Sequence, residues 1–131
     1  MADILQFDLV SPERALASQE ASTVKIPGLE GDMTAMPNHA PFMTILRPGV
    51  LTVSGVGGDV AYVVTGGFAE VSPAGVSVLA EQAMPRDEAK ADDLAELVAE
   101  TEIALAMATE ETEKMALAIR VNDLKGLAAS L

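Results

Sequence analysis

The chain reads as α+β, mainly β: an N-terminal β-sandwich over residues 1–85, then a C-terminal antiparallel helical hairpin over residues 86–131. Three observations predict this. All glycines but Gly126 lie before residue 76, and all seven prolines lie at or before Pro85. Short apolar runs alternate with polar residues between those glycines and prolines. Beyond Pro85 the chain turns rich in Ala, Glu and Leu, which marks a boundary near Met84 to Asp87.

The sandwich half is built from short strands. Leu5, Phe7 and Leu9 alternate with Gln6 and Asp8, the period of a half-buried strand, and Ser11-Pro12 breaks it. Val24 and Ile26 flank Lys25 ahead of Pro27-Gly28. Phe42 to Leu46 ends at Pro48-Gly49, and Leu51 and Val53 alternate with Thr52 and Ser54. Gly57-Gly58 is a two-residue hairpin signal, because both central positions of a type I′ turn need positive φ. Val60 to Val64 is the expected return strand, followed by Phe68 to Val71 and Val76 to Ala80. Gly66-Gly67, between strands, marks a bulge or a close backbone approach.

Leu94, Val98, Thr101, Leu105 and Ala108 form one apolar seam in the second half. Leu117, Val121, Leu124, Ala128 and Leu131 form another. Thr109 ahead of Glu110 and Glu111 has the signature of an N-cap with acids in the first turn. The expected break is Ala108 to Glu111; one continuous helix is the rival, since no Gly or Pro enforces a break there.

Composition excludes several functions. There is no cysteine, hence no disulfide or thiolate chemistry. The net charge is −12 with only eight Lys and Arg, which argues against nucleic acid and against direct docking on anionic lipid. The apolar run Ile103 to Ala108 is far short of the roughly 20 residues needed to span a bilayer. Met1 to Val10 carries Asp3 and Asp8 and no basic start, so no secretory signal is expected.

No catalytic constellation emerges. His39, in Met36-Pro37-Asn38-His39-Ala40-Pro41, is the one histidine and has no second His or Cys with which to share a metal. The acids over residues 87–113 sit between apolar seam positions, as on a solvated helix face. Gly55-Val56-Gly57-Gly58 lacks the Lys-Ser/Thr ending of a phosphate loop and reads as a hairpin turn. The residues alone therefore describe an acidic binding or structural module.

Five stretches in order carry a resemblance over essentially the whole chain. They are Leu9-Val10-Ser11-Pro12; Gly31-Asp32 with Met36-Pro37-Asn38-His39-Ala40-Pro41; Leu46-Arg47-Pro48-Gly49; Gly66-Gly67-Phe68-Ala69-Glu70-Val71; and Val78-Leu79-Ala80-Glu81-Gln82-Ala83. Together they resemble the epsilon subunit family of bacterial F-type ATP synthases. The resemblance implies a non-catalytic subunit of the rotor's central stalk. Its sandwich would bind gamma and the polar loops of the c-ring beneath the alpha/beta head, coupling ring rotation to ATP synthesis. It implies that Glu30, Gly31 and Asp32 face the c-ring, and that His39, Ala40 and Pro41 lie against gamma. It also implies peripheral association, through partners, with the cytoplasmic face of the bacterial inner membrane, which is favoured over a plastid-encoded homologue.

Two departures stand out. Thr34 occupies a position where the family has glycine, and a Cβ there resists positive φ. In some relatives an Asp-x-x-Arg-Ala segment binds ATP. Here Asp87 and Lys90 are the corresponding candidate contacts, and Lys90 lacks the planar fork of the arginine it replaces, which argues against a nucleotide cofactor. Residues 87–131 hold eleven acids against four bases, a net −7 that opposes docking on an acidic region of the beta subunit. The resemblance thus implies weak or no inhibition of ATP hydrolysis. A nucleotide-sensing inhibitor is the alternative, and an unrelated acidic sandwich a third.

Overall fold

The computed structural model describes residues 4–55 and 57–131. The chain forms two compact units, Met1–Asp87 and Glu88–Leu131.

The first unit is one continuous ten-stranded sheet folded over a core. Its strands are β1 (Leu5–Val10), β2 (Ala15–Ala21), β3 (Thr23–Gly28), β4 (Gly31–Ala35), β5 (Phe42–Leu46), β6 (Gly49–Gly55), β7 (Gly58–Val64), β8 (Gly67–Val71), β9 (Gly75–Ala80) and β10 (Ala83–Pro85). The strand order is β10-β7-β6-β3-β5-β8-β9-β1-β2, with β4 also paired to β3. All pairings are antiparallel except β1 with β9.

The alternation read in the sequence becomes the two faces of this sheet. Leu5, Phe7 and Leu9 point inward from β1, and Val76, Val78 and Ala80 from β9. They meet Val24, Ile26, Leu51, Val53 and Val64 from the other half of the fold in one buried cluster. The rings of Phe7 and Tyr62 lie 6.4 Å apart between centroids, tilted by 30°, and join the two layers through the core.

β2, β4 and β10 do not stand out in the sequence. β2, Ala15–Ala21, is a sheet edge of small and polar residues with one fully buried side chain, Ala21. β3 carries Pro27, which has no N–H to give to the ladder; its carbonyl still accepts from the Arg47 N–H at 3.0 Å. The β6–β7 register pairs Gly55 with Gly58, so Gly58 already belongs to β7, one position past where the Gly57-Gly58 signal placed the turn. Gly58 takes φ +104°, open to glycine at no steric cost; Val56 lies outside the described residues. Gly67 is the close approach that its motif suggests. It adopts φ +121°, and a Cβ there would collide with the Leu79 carbonyl oxygen of β9.

The second unit follows a short 3-10 turn at Arg86–Glu88 that straddles the boundary. It comprises α1 (Ala91–Met107) and α2 (Glu111–Ala129), packed on each other as a hairpin. The chain breaks at residues 108–110, as the seams predict. Leu94, Thr101 and Ala108 are buried on one side, and Val121, Leu124 and Leu127 on the other. Thr101, polar in an apolar seam, donates its hydroxyl to the Leu97 carbonyl at 2.7 Å and so remains satisfied. The N-cap of α2 is Glu110, not Thr109, and it makes no side-chain cap bond. At α1 the cap is Lys90, whose N–H donates to the Asp93 carboxylate at 2.8 Å.

Candidate functional site

Cross-strand register organises the outer surface of the sandwich. In β5, β8, β9 and β1 the residues Ile45, Phe68, Leu79 and Val10 are mutual partners on adjacent strands. All four point outward, forming one apolar row across the sheet. Leu29, whose N–H donates to the Ile45 carbonyl at 2.8 Å, extends the row at one end. Val10 at 39 % exposed and Ile45 at 59 % mark the range along the strands. Met43, two residues before Ile45, joins Thr44, Ile45 and Phe68 around a pocket of about 370 Å³. Scattered surface hydrophobics need no explanation, but a row in register does.

The turn Leu29-Glu30 connects β3 to β4. Glu30 stands in it, whereas Gly31 and Asp32 belong to β4 rather than to a loop. Gly31 takes φ +138°, which only glycine adopts readily, and so sets the turn. Thr34 sits in extended strand opposite Lys25, so its Cβ meets no positive-φ demand. Asp32 stays exposed and reaches across the surface to Arg47, with Oδ1 3.6 Å from the guanidinium. This pair was not apparent in the sequence. The register that carries it could have been found only by knowing that Arg47 lies beside Pro27, the strand partner of Asp32.

The segment His39, Ala40, Pro41 lies at the other end of β5. Asn38 adopts φ +64°, a conformation that Asn tolerates better than most residues. Its N–H donates to the Pro73 carbonyl at 3.0 Å, which ties this loop to the β8–β9 turn. His39 Nδ1 lies 2.8 Å from the Ala40 carbonyl, a local contact with no neighbouring acid or nucleophile in the described hydrogen bonds. The structure therefore places the two candidate docking segments at opposite ends of a five-residue strand, roughly 15 Å apart, with the apolar row crossing β5 at Ile45, near the Glu30 end.

Asp87 lies in the 3-10 turn, at the end of the first unit, and Lys90 caps α1 in the second. Among the described residues, no three His, Cys, Asp or Glu side chains are grouped to hold a metal. Likewise, no helix is long and apolar enough to cross a membrane.

A registered apolar outer row on a sandwich is the kind of surface with which a subunit docks on other proteins. The comparisons agree. Residues 4–86 match the family model of the ATP synthase delta/epsilon chain beta-sandwich domain. The ATP synthase epsilon chain of Fuscovulum blasticum is 61 % identical over 104 residues, 79 % of this chain and 80 % of its own. That of Cereibacter sphaeroides (strain ATCC 17025) is 50 % identical over 130 residues, 99 % of this chain and 98 % of its own. Among solved structures, a chain in the Euglena gracilis mitochondrial ATP synthase OSCP/F1/c-ring assembly superposes with TM-score 0.71 at 25 % identity, covering 97 % of this chain and 81 % of that one. The chain belongs to the ATP synthase epsilon chain family and is, with it, a non-catalytic subunit.

Proposed function

We propose that this subunit locks two parts of the rotor together, holding the c-ring in register with gamma so that ring rotation drives the catalytic head. The observation that carries the proposal is the apolar row Val10, Leu79, Phe68, Ile45 and Leu29. A joint that transmits torque must not slip. Permanent interfaces achieve this with an apolar, well-packed core and a polar rim. The row supplies such a core for gamma, and the His39, Ala40, Pro41 loop supplies part of its rim. Glu30 in its turn, with Gly31 and Asp32 at the start of β4, meets the polar loops of the ring, where charged pairs set register more than affinity. The chain is held at the cytoplasmic face of the membrane through these partners.

The helical unit, with eleven acids against four bases over residues 87–131, opposes an acidic docking region on the head. Weak inhibition of hydrolysis, or none, follows. Asp87 and Lys90 provide no bidentate phosphate contact, so the subunit works without a nucleotide. Reconstituting the head and rotor with and without this chain tests the function: coupling of proton flow to ATP synthesis should require it, with no loss of the catalytic sites themselves.

A further inference from the structure

The face of the sandwich formed by β3, β4, β6 and β7 has a different chemistry from the apolar row. Lys25 pairs in register with Thr52 of β6 and Thr34 of β4, and Asp32 lies one pleat further along β4. Arg47, Arg86, Lys25 and Thr52 line one pocket of about 320 Å³, together with Asp32 and the Pro48-Gly49 backbone. All of it belongs to the first unit.

The convergence is unusual for so acidic a chain. The first 87 residues contain four cations (Arg14, Lys25, Arg47 and Arg86) against ten acids. Three of those four cations border this pocket, and Asp32 is the one carboxylate among its lining residues. No carboxylate pairs with Lys25 among the described residues. The pocket lies at the small end of the roughly 300–1,000 Å³ range of ligand sites. Two guanidinium forks, an ammonium and a hydroxyl are the donor set that an oxyanion takes.

We propose that this pocket binds a soluble phosphate or diphosphate group. A free anion is favoured over a lipid headgroup because a net charge of −12 repels an anionic bilayer as a whole, while a small ion feels mainly the side chains that line the pocket. The bound anion competes with Asp32 for Arg47. If the stalk reading above holds, filling the pocket releases the Asp32 carboxylate toward the ring; the binding itself does not depend on that reading.

The test is a titration of the full chain with pyrophosphate at low ionic strength, followed by amide chemical shifts. Saturable shifts confined to residues near Lys25, Arg47, Thr52 and Arg86 are expected. Lys25→Gln and Arg47→Gln should each weaken binding about tenfold. Asp32→Asn, which removes the internal competitor, should tighten it several-fold. Shifts that sodium chloride reproduces at equal ionic strength, or that all three variants leave unchanged, would overturn the proposal. So would cosedimentation with phosphatidylglycerol vesicles, lost in Lys25→Gln, in the absence of any response to pyrophosphate. Because no gamma or ring is present, failure here leaves the rotor role untouched, and failure of the rotor role leaves this result standing.

Discussion

The Asp32 carboxylate lies 3.6 Å from the Arg47 guanidinium, joining the start of β4 to the residue that follows β5. The side chains are 51 % and 39 % exposed, so water screens the attraction. Such pairs contribute about 0–1 kcal/mol. What the pair fixes is direction. It holds the Asp32 carboxylate, at the start of β4, against the body of the sandwich and leaves Glu30 of the preceding turn to project from it.

Asp32→Asn should therefore shift the urea-unfolding free energy by less than about 1 kcal/mol. Asp32→Lys places two cations side by side, and in the assembled complex it should lower ATP-driven proton pumping while hydrolysis persists. Unchanged pumping efficiency in that variant would remove Asp32 from the ring contact.

Gly67→Ala should be among the most damaging single changes in the sandwich. The residue sits at φ +121° with the Leu79 carbonyl oxygen where a Cβ would go, and the Ala80 Cα only 2.9 Å from that position. A loss above about 2 kcal/mol is expected. Gly126→Ala is the control: it has open space around it in α2, and should be neutral or stabilising in a urea melt.

Phe7→Ala removes the ring that meets Tyr62 between the layers. Phe7 is fully buried, and the expected cost is about 3–5 kcal/mol. The helical seam offers a second core to probe: Leu124→Ala should cost about 2–5 kcal/mol. Thermal or denaturant unfolding of both variants measures these losses.

Much of this fold is written in local pattern, because a half-buried strand declares its period and a helical seam its spacing. Leu5, Phe7 and Leu9, and Leu94, Thr101 and Ala108, show both. Edge elements declare less. β2 buries little and is held by pairing with β1, so Ala15–Ala21 carries no signal beyond its neighbours. The Gly57-Gly58 signal missed by one residue because a hairpin's register depends on both strands, and the sequence around the turn offered three glycines to choose from. The apolar row was invisible for a different reason. Ile45, Phe68, Leu79 and Val10 lie on four strands and become neighbours only through the sheet order. The motif segments at residues 30–32 and 39–41 were legible by resemblance; the surface between them was not.

Removing residues 88–131 deletes the helical unit at its observed boundary. Given the negative charge of that unit, ATP hydrolysis by the complex should stay nearly unchanged. A several-fold rise on deletion would mean that the helices inhibit despite their charge.

The central claim is that the apolar row holds gamma. It is tested most directly by capturing the tagged full chain from native membranes in mild detergent and quantifying gamma in the wild type and in Phe68→Asp. Phe68 is 40 % exposed and points away from the core, so the variant should fold, which its circular dichroism and melting curve will verify. Near-complete loss of gamma with a folded variant is the predicted result. Equal recovery of gamma from both would contradict the claim and move the gamma contact elsewhere on the sandwich.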